Sequence, residues 1–589
     1  MATTQKLELT WLGKDKEIKI EPRLLIEDKK KSNYKHDPTT ENMLIHGDNL
    51  LALKALERNY AGKVKCIYID PPYNTGSAFE HYDDNLEHST WLSLMKPRLE
   101  ILRNLLSDEG VIFVQIDDNE MAYLKVLMDE VFGRNNYVNT VSVLMKNIAG
   151  ASGGGEDKRL KKNLEYILIY SKNYNAMSIF NPVFQLTRIS ELVKNYSKDK
   201  KSWKYTSVLV SPGAKTYISS TEDGNGDEIK IYKRDGLSTL SVRDFAKKES
   251  ISIDDVYDYH FEKIYRTTMP QSSIRPRVMK HMEDINKRFD VISIEYVPHS
   301  GRNKGVMYEQ FYSGDKYNLF AWLSDVATSI NGIGYKKDLQ GTYWDFVGET
   351  KNLTKEGNVQ FPNGKKAERL IERILTMCTN EGDLVLDSFL GSGTTAAVAH
   401  KMNRRYIGIE MGDHAYTHCK VRLDKVIDGS DQGGISKAVN WQGGGAYKFY
   451  ELAPTLIHQD EFGEYVINNT YDAARLAAAV ALHEGFTFAP DKEVFWKQAK
   501  GNESSYLFVT TRHINGSYLD AIQSTMQEGE YLIIACKSYE AGLEKRYPHI
   551  TIKKIPQMLL NRCEFDRNNY NLNIINPPVY EEEDEEDKT

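Results

Sequence analysis

The stretch CIYIDPPYNTGS, residues 66–77, is an apolar run that ends in an acid, two prolines and a tyrosine. Val64–Ile69 alternates too little for a half-exposed strand and has the pattern of a strand buried on both faces, as in parallel sheets. Its continuation is chemically unusual. Prolines carry no N–H, so the Asp70 oxygens and the Pro71 carbonyl offer acceptors beside almost no donors. Such a turn suits a substrate that presents two amine hydrogens. Tyr73 adds an aromatic face on which an extruded base can stack, a contact worth about 1 to 3 kcal/mol in single-strand binders.

Working outward, Met43–Ile45 forms a short strand, His46-Gly47-Asp48 a turn, and Asn49–Arg58 a helix with leucines on one face. Trp91–Leu106 has helical leucine spacing, and Gly110 resets the chain into the strand Val111–Ile116. Strand, helix and strand at this spacing imply an α/β unit with a parallel sheet. A Gly-rich loop at 148–162 precedes another strand, Tyr166–Tyr170. The α/β rhythm then breaks and resumes with the helix Ala367–Cys378, the strand Leu384–Leu386, the helix Thr394–His400 and the strand Tyr406–Ile409.

Between the resumed strand and helix lies LDSFLGSGTTA, residues 386–396. A glycine loop that follows a strand and opens a helix lets the backbone approach a ligand closely, and an acid at the end of the next strand, here Glu410, can hold ribose hydroxyls. Alone, the loop fits nicotinamide, flavin or S-adenosylmethionine folds, or a tight packing turn. No positive cluster points to a pyrophosphate. Asp70-Pro71-Pro72-Tyr73 decides between them, because its acceptors match an amino group.

With those residues in place, the chain resembles the amino-group DNA methyltransferases, whose signature is an Asp, Asn or Ser followed by two prolines and an aromatic. Because the proline turn precedes the glycine loop and a long insert separates them, it is most similar to the β class, and within it to modification subunits of Type III restriction-modification systems. The resemblance implies a Rossmann-like S-adenosylmethionine-dependent sheet with an inserted DNA-recognition domain and a small C-terminal α/β domain. It assigns catalysis to Asp70, Pro71, Pro72 and Tyr73. It assigns cofactor contacts to Asp48, Phe361, Lys366 (or Lys365), Asp387, Phe389, Gly391, Ser392, Gly393, Thr394 and Glu410. Asn163 and Tyr166 occupy the position of a segment that closes over the target base. The lysine segment departs from the family's lysine-proline form, reading Pro362-Asn363-Gly364-Lys365. An aspartate at the first position favours adenine N6, with cytosine N4 left open. The resemblance further implies double-stranded DNA as substrate, a homodimer, and a partner restriction subunit with ATPase activity.

Composition sets limits on these expectations. A length of 589 residues allows three or four compact units. We divide the chain into an N-terminal arm (1–40), a catalytic part (41–180), a recognition insert (181–345), a cofactor-binding part (346–428), a Gly-rich linker (429–446), a C-terminal interaction domain (447–580) and an acidic tail (581–589). The net charge of −7 is concentrated in that tail, which carries seven acids and one lysine. Residues 181–340 carry 25 Lys and Arg against 21 Asp and Glu, so DNA contact has to rest on a local stripe. Arg266, Arg275, Arg277 and Lys280 form the densest basic cluster, able to read guanine edges or grip phosphate, or simply to serve as a solvated face.

Five cysteines at 66, 378, 419, 536 and 563 show no metal-ligand spacing, so no metal and a reducing, cytoplasmic setting are expected. Ala473–Leu482 is too short for a bilayer and contains Arg475, so no membrane association is expected. Asn576-Pro577-Pro578-Val579 copies the proline turn without its aromatic, and 429–437 fails as a phosphate loop because Ile435 stands where a lysine is required. A DNA-binding subunit without turnover and a nicotinamide oxidoreductase are the competing readings.

Overall fold

The computed structural model describes residues 8–15, 18–34, 37–73, 84–147, 160, 162–270, 274–299, 301, 303–350, 353–359, 361, 364–560 and 562–566. The acidic tail, and the Gly-rich loop except Leu160 and Lys162, lie outside them. The described residues form two units, one of residues 1–181 with 341–589 and one of residues 182–340.

The larger unit is built on a ten-stranded sheet. In chain order its strands are β1 (Leu25–Glu27), β2 (Met43–His46), β3 (Val64–Ile69), β4 (Leu106–Ile116), β5 (Tyr137–Leu144), β6 (Leu164–Ser171), β7 (Tyr343–Asp345), β8 (Leu384–Asp387), β9 (Arg405–Glu410) and β10 (Lys448–Leu452). Their spatial order is β1-β10-β2-β9-β8-β3-β4-β6-β5-β7. The central strands β2, β9, β8, β3 and β4 run parallel. β6 is antiparallel to both β4 and β5.

The uniformly apolar central strands are explained by cover on both faces. On one face, α1 (Asn49–Tyr60), α2 (Asp84–Leu105) and α3 (Met121–Met128) bring Leu53, Leu99, Leu102 and Leu127 against Ile67, Ile69 and Ile112. On the other, α4 (Glu368–Cys378), α5 (Thr394–Lys401) and α6 (Val421–Ile427) bring Ile371, Val398 and Leu423 against Tyr68, Phe113 and Val385. Each such fully buried aliphatic side chain contributes about 1.5 to 3 kcal/mol.

The strand order creates a switch point. From β3 the chain proceeds to β4 on one side, and from β8 it proceeds to β9 on the other. β3 and β8 are themselves parallel neighbours, with Leu386 opposite Ile67 and Val385 opposite Cys66. In open α/β sheets the crevice for ligands lies outside the carboxyl ends of the two strands at this point. Both Asp70 and the glycine loop leave the sheet there.

Several expected boundaries shift because strand pairing is long-range. The N-terminal arm supplies β1, which pairs with β10, and Glu21 accepts hydrogen bonds from the Leu456 amide (2.7 Å) and the Thr455 hydroxyl (2.9 Å). β10 lies inside the segment expected to form a separate C-terminal domain, yet it pairs with β2. The smaller five-stranded sheet follows it, with Ser505–Ile514, Tyr531–Tyr539 and Ile550–Lys554 parallel and the helix Ala473–Glu484 packed on it.

Residues 429–446 are not a free linker. Their glycines are tightly packed: a Cβ on Gly433 would lie 2.2 Å from the Lys355 carbonyl oxygen, and one on Gly445 would lie 2.4 Å from the His400 ring. β7, inside the expected insert, is a parallel edge strand beside β5. The insert proper has regular structure of its own. Its residues form antiparallel sheets of eight and three strands, with separate cores around Val208, Phe245 and Ile264 and around Ile231, Ile292 and Ile294. Among the described residues no helix is long and apolar enough to cross a membrane.

Candidate functional site

Asp70 follows β3 directly, and the side chain of Tyr73 folds back over it. The Tyr73 hydroxyl lies 2.7 Å from Asp70 Oδ1 and 2.9 Å from Glu165 Oε2. A phenol has one proton to donate, so it serves one carboxylate at a time. Lys366 Nζ donates to the Tyr73 hydroxyl (2.8 Å) and to Glu165 (2.9 Å), and lies 3.3 Å from Asp70 Oδ2. Gln115 also donates to Glu165 while accepting from Tyr68 at 2.6 Å. The Trp91 indole holds the Pro72 carbonyl at 2.7 Å, fixing the turn.

Burial pushes the Asp70 carboxyl up to about 6, against the pull of the Lys366 ammonium and with Glu165 adding to the rise. For Lys366, the lowering effect of burial is outweighed by Asp70 and Glu165, which hold the ammonium above the ordinary lysine value. Burial would raise Glu165, but Lys366 and its hydrogen-bond donors hold it below the usual carboxylate value.

The neighbouring loop is shaped by glycine. Gly391 (φ +55°) and Gly393 (φ +81°) adopt the left-handed conformation, and a Cβ on Gly393 would come within 3.1 Å of Cys419 Cα. Asp387 caps the loop from inside, accepting from the Phe389 amide (2.9 Å) and the Thr395 hydroxyl (2.6 Å), and burial pushes its carboxyl up to about 7. Glu410, at the end of β9, accepts from the Gly391 amide (2.6 Å) and the Gly412 amide (3.2 Å), and burial raises it.

Asp48 is the N-cap of α1: its Oδ1 accepts from the Leu50 and Leu51 amides. Its buried Oδ2 has no hydrogen-bond partner, and neither has the buried Ser388 Oγ at the start of the loop. The adjacent Asn49 donates to the Ser388 carbonyl at 2.8 Å, tying α1 to the loop. Two buried, partnerless oxygens beside positive-φ glycines fit a polar ligand at the switch point.

The two lysines ahead of α4 diverge. Lys365 is buried and bonded to the Val359 and Glu356 carbonyls, and burial lowers it to about 8, whereas Lys366 reaches Asp70. Phe361 packs edge-on against His414 and His418, with ring centroids 5.0 and 5.4 Å apart, and its Cζ is 3.9 Å from the Cβ position of Gly391. Sequence reasoning missed both histidines.

Behind the loop, the side chains of Lys401, Glu368 and Arg422 are fully buried, and that of Asp431 is nearly so. Lys401 bonds Glu368 and Asp431, while Arg422 bonds Glu368 (2.8 Å) and Thr394 (2.7 Å). The Ile435 amide donates to Glu368 at 3.0 Å, which anchors the 429–446 segment beneath the glycine loop.

Of the base-closing segment, Asn163 precedes β6 and its carbonyl accepts from Met145 (3.0 Å). Tyr166 packs in the core with Leu168, while its neighbour Glu165 enters the pocket, as strand alternation requires. The four basic residues of the insert do not share one face. Arg266 lies on the strand Ile264–Thr268 over the Tyr205 ring. Arg275 donates to the Lys316 and Tyr317 carbonyls. Arg277 and Lys280 are exposed one turn apart on the helix Ile274–Asp284. Asp223, Asp227 and His299 converge at a hairpin of the insert. Their atoms are already engaged, Asp223 with the turn amides of Asn225 and Asp227 and His299 with Asp227.

The Rossmann-like sheet thus sets a glycine loop and an aspartate-led proline turn side by side at its switch point, and the turn is richer in donors than its two prolines suggest, because the Tyr73 hydroxyl and the Lys366 ammonium both reach Asp70. The chain belongs to the DNA methylase family, whose sequence model, N6_N4_Mtase, matches residues 64–420. It is 48% identical over 415 residues to the probable type III restriction-modification enzyme HindVI Mod subunit of Haemophilus influenzae, an alignment covering 70% of this chain and 54% of the relative. It is 26% identical over 521 residues to the type III restriction-modification enzyme EcoP15I Mod subunit of Escherichia coli, covering 79% and 74%. The chain thus spans about half the length of the HindVI relative. A solved structure described as a putative DNA modification methylase from Thermus thermophilus, complexed with S-adenosyl-L-methionine, aligns with 69% of this chain and 99% of its own at 14% identity and a TM-score of 0.30.

Proposed function

We propose that this chain is an S-adenosylmethionine-dependent DNA adenine N6 methyltransferase, the modification and specificity subunit of a Type III restriction-modification system. The observation that carries the proposal is the placement of Asp70 and the glycine loop at the carboxyl ends of adjacent parallel strands. The Mod-subunit relatives support the restriction-modification system, and the aspartate at the first position of the proline turn favours adenine.

Asp48, Phe361, Asp387, Phe389, Gly391, Ser392, Gly393, Thr394 and Glu410 would hold the cofactor. The partnerless Asp48 Oδ2 suits an amine donor, and Glu410 has lone pairs left for hydroxyls. When bound, S-adenosylmethionine supplies an electrophilic methyl group on a sulfonium sulfur.

Extrusion of the target base costs a few kcal/mol, offset in part by stacking on Tyr73. Asp70 and the Pro71 carbonyl would accept the two amine hydrogens and so fix the orientation of the amino nitrogen. Positioning of this kind accounts for much of the acceleration. After transfer the nitrogen carries a surplus proton, and Asp70, with a carboxyl value of about 6, is the group placed to receive it. The insert 182–340 would read the DNA sequence through exposed side chains such as Arg277 and Lys280. A homodimer and a restriction subunit complete the proposed assembly.

Nucleoside mass spectrometry of DNA treated with the protein tests the assignment. N6-methyladenine is expected. N4-methylcytosine would move the target base, and DNA binding without any methylated product would favour a specificity subunit lacking turnover.

A further inference from the structure

Lys366 is bonded to the proposed catalytic turn, although the cofactor contact suggested by sequence does not require that bond. Its ammonium touches Glu165, the Tyr73 hydroxyl and Asp70. Glu165 Oε2 in turn receives Lys366, Tyr73 and Gln115. The side chains of Lys366 and Glu165 are 11% and 20% exposed, so this pairing is poorly screened by water.

Other groups face Asp70 as well. Tyr68 on β3 and Asp387 at the end of β8 are near enough to couple with it, and Tyr73 is hydrogen-bonded to it. Among these, Lys366 is the single cation. Without it, Asp70 would share a low-dielectric pocket with Glu165 and Asp387 and would be driven toward its protonated form. A protonated carboxyl group donates where the proposed chemistry needs an acceptor.

We propose that Lys366 and Glu165 are a positioning pair for Asp70: the ammonium keeps Asp70 an ionised acceptor, and Glu165 holds the ammonium while limiting how much of its field Asp70 receives. The pair touches no reacting atom. The inference rests on the methyltransferase reading of the site.

Its signature is a pair of opposite shifts. Lys366→Met removes the cation and moves the acid limb of the single-turnover methylation rate upward by about one pH unit, a tenfold loss at pH values below the limb. Lys366→Arg keeps the charge and leaves the limb near the wild-type position. Glu165→Gln removes a negative neighbour and moves the limb downward. The carboxyl carbon resonance of Asp70, assigned by difference with Asp70→Asn in protein without cofactor or DNA, should titrate with the same opposite shifts.

Shifts in the same direction, or no shift in either variant, would overturn the positioning role. Should Lys366→Met not fold, Glu165→Gln and Lys366→Arg decide the question. A wild-type protein that yields no methylated DNA would defeat the function reading instead, and the carboxyl titration would still decide this one.

Discussion

Lys401→Met removes a cation whose side chain is fully buried beneath the glycine loop. Its ammonium makes contacts of 3.0 and 2.9 Å to the two Glu368 oxygens and 2.7 Å to Asp431 Oδ2. Glu368 retains Arg422 at 2.8 Å after the substitution, so the charge left without a cation is Asp431. Breaking one side of a buried pair costs about 3 to 5 kcal/mol, and Asp431 accounts for most of it. The assay is denaturant unfolding followed by tryptophan fluorescence, with Asp431→Asn added to the variant. The double variant should recover more than half of the loss.

The pH dependence has a definite sign. Burial alone would raise Asp431, but Lys401 holds its folded-state value below the unfolded one. In the wild type the pair therefore stabilises above the unfolded carboxylate value, and that contribution disappears as pH falls through the folded value. In Lys401→Met the deficit should be largest near neutrality and shrink as Asp431 protonates. A loss below about 1 kcal/mol, the range of an exposed pair, would refute the view that this network anchors the loop.

Gly433→Ala places a methyl group 2.2 Å from the Lys355 carbonyl oxygen, so it should destabilise the protein by about 1 to 3 kcal/mol; a free linker would not respond, and a melting curve separates the two. Asp48→Ser keeps an N-cap acceptor for α1 but removes the partnerless Oδ2 and the carboxylate 3.8 Å from the buried Arg98 guanidinium, so calorimetry should show weakened S-adenosylmethionine binding together with a loss of stability. Tyr73→Phe retains the stacking ring and should leave target-base binding near the wild-type level while losing the hydroxyl's hydrogen bonds with Asp70, Glu165 and Lys366, whereas Tyr73→Ala should cost about 1 to 3 kcal/mol in binding a 2-aminopurine-labelled target base.

The parts of the site legible in the sequence are those with a local cause. A doubly buried strand, two prolines and a glycine loop each constrain the backbone within a few residues, so Asp70-Pro71-Pro72-Tyr73 and residues 387–394 could be located directly. Glu165 could not. Its role depends on β6 lying antiparallel to β4, which brings it to Gln115 and Tyr73, and nothing local separates it from Tyr166, which strand alternation sends to the opposite face. Lys365 and Lys366 are adjacent and chemically alike, and only the approach to α4 decides which one is enclosed by carbonyls and which reaches the carboxylates.

The glycines of 429–446 have the composition of a linker, because local composition cannot distinguish freedom from close contact. Gly434 shows the difference: a Cβ there would fall 2.2 Å from Glu368 Oε2. The strands of the insert were obscured by their many Lys, Tyr and Ser residues. Antiparallel strands with one wet face tolerate such residues, and Glu228–Asp235 alternates buried Ile229 and Ile231 with exposed Glu228 and Lys230.

The most direct measurement is transfer of a labelled methyl group from S-adenosylmethionine to DNA by the wild-type protein and by Asp70→Ala, with cofactor binding measured on both. The account predicts transfer by the wild type, cofactor binding by both, and no transfer by the variant. Undiminished transfer by Asp70→Ala would contradict it.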